Sequence, residues 1–489
     1  MHLDKINFKS QMLTILLYIF TFLFLIFPTS YGIVDLKIVI IFFPLLLFTI
    51  YLLRKIKINE KYYPWIIIIL AILTRVGVVL LLNSQIIQVS DFAKALEASY
   101  TLKFEGDYYQ VFTHWILYPT ILNFIYKIFG ESQLVALLVN AIILVFVSLF
   151  VYKVASLIFN KKSSGFLAAI IYTLWPVNIL YTIIFTQEHL CTLLLLIVLY
   201  LFLKNESKDE FNSKKCISLI IIGILLGIST FLKNFAPVFL IAFIIYYILK
   251  VFNVKKIKNY TIFKILSIFI IFISYSLSKN VIFNCIDNLV GTDVARNIIA
   301  CYLNVGLRDD GTYSSENYGT YFSTLKENNY DYEKTNSIIL KDIIKDSSSN
   351  LSINFFSNKA SILFGGDYAR LQWISNTLNV DMGNKLIVII DKLNNCYFTF
   401  LVVLMILGLI YMNRNKDLKV FLLYLIFFGS FLLLLLVEAQ NRYMYAIQFI
   451  MCILSVLGIN YLVEFIDNKK VKGEVNNEIS TISKNKTLD

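Results

Sequence analysis

Charged residues are scarce in this chain. Asp, Glu, Lys and Arg make up 16% of its 489 residues, whereas soluble proteins carry about 25%. Hydrophobic residues reach 58%, and the mean hydropathy is +0.72. Apolar runs of about eighteen residues or more recur along the chain, and a helix needs about 20 such residues to cross a bilayer. The composition excludes a soluble globular protein and predicts an all-α polytopic membrane protein.

Cysteine motifs are also absent. The six cysteines form no CxxC motif and have no spacing typical of metal ligands. Cys191, Cys216 and Cys452 lie in or beside apolar runs, where we expect them to pack. Cys285 and Cys301 fall in a large polar segment and could pair in an oxidising compartment, a possibility that the sequence leaves open. The N-terminal segment lacks a small-residue cleavage site, which predicts a retained first helix.

About twelve membrane spans are predicted, with the N- and C-termini in the cytoplasm. Lys and Arg lie mostly in alternate loops, as they do in the cytoplasmic loops of polytopic proteins. This distribution accounts for the net charge of +12 without nucleic acid as a partner. The richness in Ile, Lys and Asn is typical of an AT-rich bacterial genome. The predicted spans are 11–28, 35–53, 64–82, 133–153, 164–184, 190–204, 217–232, 236–250, 262–280, 397–413, 419–437 and 446–464.

Two stretches of the chain do not span. The first outer loop, 83–132, contains an apolar run, Tyr118–Phe129, that is too short to cross and is predicted as an interfacial helix. Residues 281–396 are polar and are predicted as an extracytoplasmic segment of mixed structure. The predicted regions are 1–63 with two N-terminal transmembrane helices, 64–280 as the transmembrane core, 281–396 as the extracytoplasmic segment, 397–465 as the C-terminal transmembrane helices and 466–489 as a cytoplasmic tail.

Ionisable residues gather at the predicted outer ends of the spans, not near the bilayer midplane where transporters usually place them. Simpler explanations exist: Asp91 could be the N-cap of a helix that begins at Phe92, and Lys233 could extend to lipid headgroups. Arg75 alone lies well inside a span, where it must reach outwards or pair with a carboxylate. The outer group comprises Asp91, Glu97, Lys103, Glu105, Asp107, His114, Glu188, His189, Lys233, Glu438 and Arg442.

The order of several short motifs over residues 64–465 resembles a known family. The motifs are Ser90-Asp91-Phe92, Tyr118-Pro119, Tyr126 to Gly130, Asn140, Trp175-Pro176, Gln187-Glu188, Leu232-Lys233-Asn234, Asn304 to Gly311, Lys359, Gly365 to Tyr368, and Glu438 with Arg442-Tyr443. In this order they resemble the GT-C membrane glycosyltransferases, especially bacterial relatives of the protein O-mannosyltransferases and the aminoarabinose transferases (glycosyltransferase family 39-like). The resemblance implies a GT-C-like fold.

The resemblance also implies a reaction in the cell envelope. An inverting transferase of this kind moves a sugar from a polyprenyl-phosphate carrier to a lipid, glycan or protein acceptor outside the cytoplasm. Asp91 would act as general base for the attacking hydroxyl, and Glu188 would orient the acceptor or Asp91, or hold a metal. No cofactor is certain, and a divalent metal is possible. The candidates for binding the substrate, chiefly the leaving phosphate, are Arg442, Lys233, His189, Arg75 and Tyr443.

Two other functions remain open at this point. A polysaccharide polymerase or ligase also combines many spans with a large external loop, but it relies on external Arg residues, of which this chain has few. A lipid-linked sugar flippase would place charged groups along a central path, and the predicted spans carry almost none. A scaffold without activity would leave the outer group of carboxylates and cations unexplained.

Overall fold

The structure is a computed structural model. It describes residues 58–206, 212–252, 258–347, 351–364, 366, 368–415 and 417–464, together with Tyr18 and Pro44. Apart from those two residues, the predicted N-terminal spans 11–28 and 35–53 lie outside the described residues, as does the predicted tail 466–489.

The described residues fold into helices without a β-sheet. One isolated antiparallel bridge joins Ile86 to Leu378. The first ten helices are α1 Tyr63–Leu82, α2 Ser90–Thr101, α3 Asp107–Val111, α4 Leu117–Phe129, α5 Gln133–Phe159, α6 Lys162–Thr173, α7 Pro176–Leu180, α8 Glu188–Glu206, α9 Ser213–Thr230 and α10 Ala236–Phe252. The others are α11 Lys258–Val290, α12 Ile299–Gly306, α13 Ser315–Glu327, α14 Tyr332–Ser347, α15 Ile353–Phe364, α16 Tyr368–Thr377, α17 Val380–Asn415, α18 Leu418–Leu436 and α19 Phe449–Glu464. A 3-10 helix, Asn441–Ile447, precedes α19.

The all-α polytopic architecture is confirmed, but the count of twelve spans is not. Seven described helices are long and apolar enough to cross a membrane, and two bent pairs raise this number to nine. The predicted span 164–184 is the pair α6 and α7, bent by 66°, and the predicted span 446–464 lies in a pair bent by 70°. The predicted span 236–250 is the 17-residue helix α10, which is shorter.

Small residues set the close packing of the long helices. Gly223 and Gly227 lie one turn apart on α9 and face Ser274 and Ser278 of α11. A Cβ atom added at Gly223 would lie 2.5 Å from the carbonyl oxygen of Ile271. Because such positions allow two backbones to approach, they favour helix association within a bilayer, where lipid tails are as apolar as the side chains.

A buried ion triad joins helices α8, α10 and α11. The carboxylate of Glu206, at the end of α8, lies 2.7 Å from Lys250 Nζ of α10 and 2.7 Å from Lys264 Nζ of α11. The Glu206 side chain is fully buried. Two cations on one carboxylate offset the cost of removing that charge from water, so the triad ties three helices together.

The helices outside the spans lie at the ends opposite the triad. The apolar run Tyr118–Phe129 forms most of α4, a helix of 13 residues that ends where Gly130 adopts a φ of +85°. Its predicted interfacial position stays a prediction. Helices α12 to α16 follow α11 and precede α17, and we call them the external segment. All six cysteines are free: Cys285 is exposed on α11, Cys301 is buried in α12, and the two form no disulfide.

Candidate active site

Four helix ends bring the predicted outer charges together. The chain leaves α1 and enters α2 at Asp91, and α8 begins at Glu188. Lys233 follows α9, and Arg442 lies in the 3-10 helix after α18. These ends lie on the same side of the molecule as the external segment, because Tyr318 of α13 donates a hydrogen bond to Glu438, only four residues before Arg442.

Glu188 and Lys233 form an ion pair at the base of this site. Lys233 Nζ lies 3.3 Å from Glu188 Oε1, and Tyr181 donates its hydroxyl to Glu188 Oε2 at 3.0 Å. Lys233 Nζ also lies 3.7 Å from the ring centroid of Tyr443. Burial lowers the pKa of Lys233, and the neighbouring Glu188 carboxylate opposes that shift. The pair is one that sequence alone did not predict, because its partners are 45 residues apart.

Arg442 lies among aromatic rings. Its guanidinium carbon is 4.9 Å from the ring centroid of Trp373, 5.2 Å from that of Phe92 and 5.3 Å from that of Tyr443. The residue is 7% exposed, and it forms no ion pair with any carboxylate among the described residues. Its Nε has no hydrogen-bond partner within that part of the chain. A buried cation that has no counter-ion among the described residues is suited to bind an anion.

Asp91 belongs to the first turn of α2. The helix begins at Ser90 with Val89 as its N-cap, and no side chain caps it. The explanation of Asp91 as the N-cap of a helix that begins at Phe92 is therefore wrong. The half-buried Asp91 carboxylate lies beside the buried Tyr108 hydroxyl, outside hydrogen-bond geometry. Burial, and then this carboxylate, raises the pKa of Tyr108. Asp91 is thus a half-buried carboxylate one residue from the ring that contacts Arg442.

His114 faces the same cations from the predicted first outer loop. Its ring centroid is 5.5 Å from that of Trp115 and 5.9 Å from that of Phe112. Burial, with smaller effects from Lys233 and Arg442, lowers the pKa of His114 to about 3. The imidazole is therefore neutral near pH 7 and can donate or accept a hydrogen bond without adding positive charge.

His189 and Arg75 lie in a second, fully buried group. His189 Nδ1 is 2.8 Å from the hydroxyl of Tyr445, and its ring packs edge to face against those of Tyr445 and Tyr181. Among the described residues, neither His189 nor Arg75 contacts Lys233 or Arg442 in a hydrogen bond or ion pair. Their predicted roles at a phosphate stay predictions.

In the part of the chain that the structure describes, Arg75 neither reaches outwards nor pairs with a carboxylate, which differs from the expectation. It is fully buried, and its guanidinium donates to the carbonyl oxygens of Tyr172 at 3.4 Å and Thr173 at 3.3 Å. Pro176 begins α7 and has no N–H to bond the Tyr172 carbonyl, as a continuous helix would require. The N–H of Val177 turns to Asn394 instead. Arg75 thus supplies donors to the carbonyls at the bend, where the Tyr172 oxygen also accepts a long bond of 3.5 Å from the N–H of Trp175.

Among the described residues, Glu188 is not accompanied by other side chains that could bind a metal with it. Its two oxygens face donors, the Tyr181 hydroxyl and the Lys233 ammonium. Within the described ranges, no three His, Cys, Asp or Glu side chains converge as metal ligands.

A groove of about 360 Å³ lies beside α2 but apart from Asp91. At 3.6 residues per turn, the α2 residues that line it face away from the Asp91 side chain. The lining residues are Ile86, Ile87, Gln88, Ala93, Leu96, Glu97, Tyr100 and Gln133.

Three residues of the site were not predicted from sequence. Tyr181 holds Glu188, Trp373 stacks on Arg442, and Tyr318 holds Glu438. All three are aromatic in a chain with 16% aromatic residues, so composition could not single them out. Only Tyr181 lies close in sequence to the residue that it contacts, seven residues before Glu188.

Comparison with known protein families gives a match to about a third of the chain. Residues 113–278 match the family model described as dolichyl-phosphate-mannose-protein mannosyltransferase. The resemblance to the GT-C membrane glycosyltransferases is confirmed. The matched residues include His114, Glu188 and Lys233, whereas Asp91 and Arg442 lie outside them. No curated protein matches the chain.

Solved structures of an archaeal enzyme are also similar to this chain. The Archaeoglobus fulgidus oligosaccharyltransferase AglB, in complex with an inhibitory peptide and a dolichol-phosphate, is 13% identical, with 85% of this chain and 52% of that chain covered and a TM-score of 0.47. The Archaeoglobus fulgidus oligosaccharyltransferase in complex with Zn and sulfate is 14% identical, with 83% and 49% covered and a TM-score of 0.47. The chain spans about half the length of these structures.

Proposed function

We propose that this protein is an inverting glycosyltransferase that moves a sugar from a polyprenyl-phosphate carrier to an acceptor at the outer face of the membrane. The observation that carries the proposal is Arg442, a buried guanidinium without a counter-ion among the described residues. It contacts the ring of Phe92, the residue after Asp91, and shares the ring of Tyr443 with Lys233. A carboxylate beside an anion-binding cation is the arrangement that transfer from a phosphate-linked sugar requires.

The leaving group accounts for the cations. As the bond between the anomeric carbon and the phosphate oxygen breaks, negative charge grows on the phosphate. Arg442 can donate two parallel hydrogen bonds to that phosphate, and the aromatic rings of Phe92, Trp373 and Tyr443 hold its guanidinium in place. Lys233 supplies a second positive charge close to the ring of Tyr443. Charges held in place before the reaction stabilise the transition state more than water can.

The acceptor requires a base, and Asp91 is the candidate. The acceptor oxygen attacks the anomeric carbon while its proton passes to the Asp91 carboxylate. One displacement of this kind inverts the anomeric centre. The second carboxylate, Glu188, is already engaged by Lys233 and Tyr181, which supports a single displacement over a covalent glycosyl intermediate. We assign Glu188 the role of positioning Lys233.

The substrates follow from the membrane setting. The family model that residues 113–278 match is described by a lipid-phosphate-linked sugar, dolichyl-phosphate-mannose. We propose a polyprenyl phosphate as carrier here, with a protein, lipid or glycan acceptor. Cytoplasmic N- and C-termini, as the Lys and Arg distribution favours, would place the site on the outer face.

The test is sugar transfer by the purified protein in lipid. The donor is a set of polyprenyl-phosphate sugars, the acceptor source is a membrane extract, and the product measured is released polyprenyl phosphate. Asp91→Asn should reduce release by at least about a hundredfold, since general-base catalysis contributes 10²–10⁴-fold. Glu97→Gln, the same change of charge at an exposed position of α2, should leave turnover near the wild-type value.

Each other outcome has a meaning. Full turnover in a folded Asp91→Asn protein would remove Asp91 from catalysis. Turnover only with diphosphate-linked oligosaccharides would indicate a polymerase or ligase. No turnover in the wild type, with the lipid-linked sugar crossing the bilayer instead, would contradict the proposal and favour a flippase.

A further inference from the structure

A buried lysine connects the external segment to the candidate active site. Lys359 of α15 is fully buried, and its Nζ donates to the carbonyl oxygen of Val437 at 2.7 Å and to that of Gly306. Gly306 ends α12, whereas Val437 follows α18. One ammonium group therefore joins three elements that are 53 and 78 residues apart.

Two glycines make this close approach possible. A Cβ atom at Gly306 would lie 2.3 Å from the carbonyl oxygen of Leu436 and 2.5 Å from Val437 Cα. Gly311 has a φ of +73°, and a Cβ atom there would lie 2.7 Å from Lys359 Cδ. A side chain at Gly306 would overlap the backbone of 436–437, and one at Gly311 would overlap Lys359 itself, so both positions need glycine for this packing.

The segment that follows Val437 has further ties to the same external helices. The N–H of Ala439 donates to the Gly311 carbonyl at 2.8 Å. Tyr318 of α13 donates to Glu438 at 2.7 Å. Residues 437–443 thus lead from these contacts directly to Arg442 and Tyr443. The position of the Arg442 guanidinium depends on where this segment is held.

Burial lowers the pKa of Lys359 to about 8, although the neighbouring Glu438 and Asp310 carboxylates oppose the shift. A neutral amine still has two N–H groups, one for each carbonyl. The two hydrogen bonds therefore do not require the positive charge, and the lysine acts through its reach and its donors.

We propose that Lys359 is a positioning residue for the transfer reaction: it holds the external segment against residues 437–443 and so fixes Arg442 at the phosphate. This inference rests on the proposed function for its kinetic part only. Lys359 itself does not contact the proposed substrate. A misplacement of about 1 Å in a group that stabilises the transition state costs on the order of a hundredfold in rate.

The experiment compares Lys359→Met with wild type by hydrogen exchange and by kinetics. Met keeps an unbranched side chain one atom shorter than that of Lys but has no N–H donor. Amide exchange in peptides covering 306–314 and 436–444 should become at least about tenfold faster, since a free-energy loss of about 1.4 kcal/mol is a factor of ten in local opening. Exchange in 213–252 should not change. The kcat should fall on the order of a hundredfold, with KM for the lipid donor changed less.

Two further variants serve as a control and as a substitute for Lys359→Met. Lys341→Met changes an exposed lysine of the same external segment and should alter neither readout. Tyr318→Phe loosens only the Glu438 tie, and it replaces Lys359→Met if the latter does not fold. Unchanged exchange at 306–314 and 436–444 in the folded variant would overturn the positioning role. A third outcome is faster exchange in Lys359→Met together with no sugar transfer by the wild-type protein. It would support the contact made by Lys359 and contradict the proposed function instead.

Discussion

The ion pair between Glu188 and Lys233 gives a quantitative prediction. The two side chains are 6% and 20% exposed, and their charged atoms are 3.3 Å apart. At that distance the attraction is about 5 kcal/mol for an effective dielectric constant of about 20, and desolvation of both groups offsets part of it. Removing one partner of a buried pair costs about 3–5 kcal/mol. Because Lys233 retains some exposure, Lys233→Met should lower the free energy of unfolding by about 3 kcal/mol.

A double-mutant cycle isolates the interaction. Glu188→Gln leaves a buried cation and should cost a similar amount, whereas the double variant Glu188→Gln/Lys233→Met leaves no unpaired charge. If the two changes were independent, the double variant would lose the sum of the two single losses in free energy of unfolding. We expect its loss to be about 2–3 kcal/mol smaller than that sum. The assay is the free energy of unfolding in mixed detergent micelles. This cycle also tests whether Glu188 acts by holding Lys233.

A matched control is present in the same chain. Lys162 and Glu60 are 3.4 Å apart, nearly the same distance, but their side chains are 60% and 54% exposed. The corresponding cycle, Glu60→Gln with Lys162→Met, should give a coupling of less than about 1 kcal/mol. If the Glu188 and Lys233 effects add to within about 0.5 kcal/mol, the pair is not a coupled buried ion pair and its assigned positioning role is refuted.

Two other changes have predicted outcomes. Glu206→Gln should lower the free energy of unfolding by about 3–5 kcal/mol because it leaves Lys250 and Lys264 without their shared carboxylate. Lys250→Met should lower it less, since Lys264 and Glu206 remain paired. Equal losses in the two variants would contradict the triad. The pKa of His114 is lowered from 6.5 to about 3, so the unfolded chain binds a proton that the folded protein excludes between these values. Wild-type stability should therefore fall relative to His114→Gln as the pH drops from 6.5 towards 3. Melting temperatures of the two proteins that change in parallel across that range would contradict a neutral His114 in the folded protein.

Much of the fold follows from hydropathy alone. The predicted spans 64–82, 133–153, 190–204 and 262–280 each lie within a single long apolar helix. The bends at 174–175 and at Gln448 were not predicted. A window average records how much apolar surface a segment has, and it does not record where the helix axis changes direction. Pro176 marks one of these bends, but a proline at the first turn of a helix is also compatible with a straight one.

The candidate site was predicted in part. Sequence indicated that the outer helix ends carry Asp91, Glu188, Lys233 and Arg442, and the structure brings the last three around Tyr443 and Tyr181. Sequence did not indicate that Arg75 would bond to the carbonyls of a bent helix. Pairing between helices that are distant in the chain leaves no periodic signal, so each charge could be placed at a helix end but not assigned a partner.

The sequence by itself determined that this is a polytopic helical membrane protein with its ionisable residues at helix ends, because the cost of placing charge in hydrocarbon acts on every residue separately. Only the tertiary structure decided which of those charges neutralise one another. It paired Glu188 with Lys233, left Arg442 without a described counter-ion, and held the segment 437–443 through Lys359. Coulomb interactions and hydrogen bonds depend on distances of a few ångströms between residues far apart in the chain, and those distances exist only once the helices have packed.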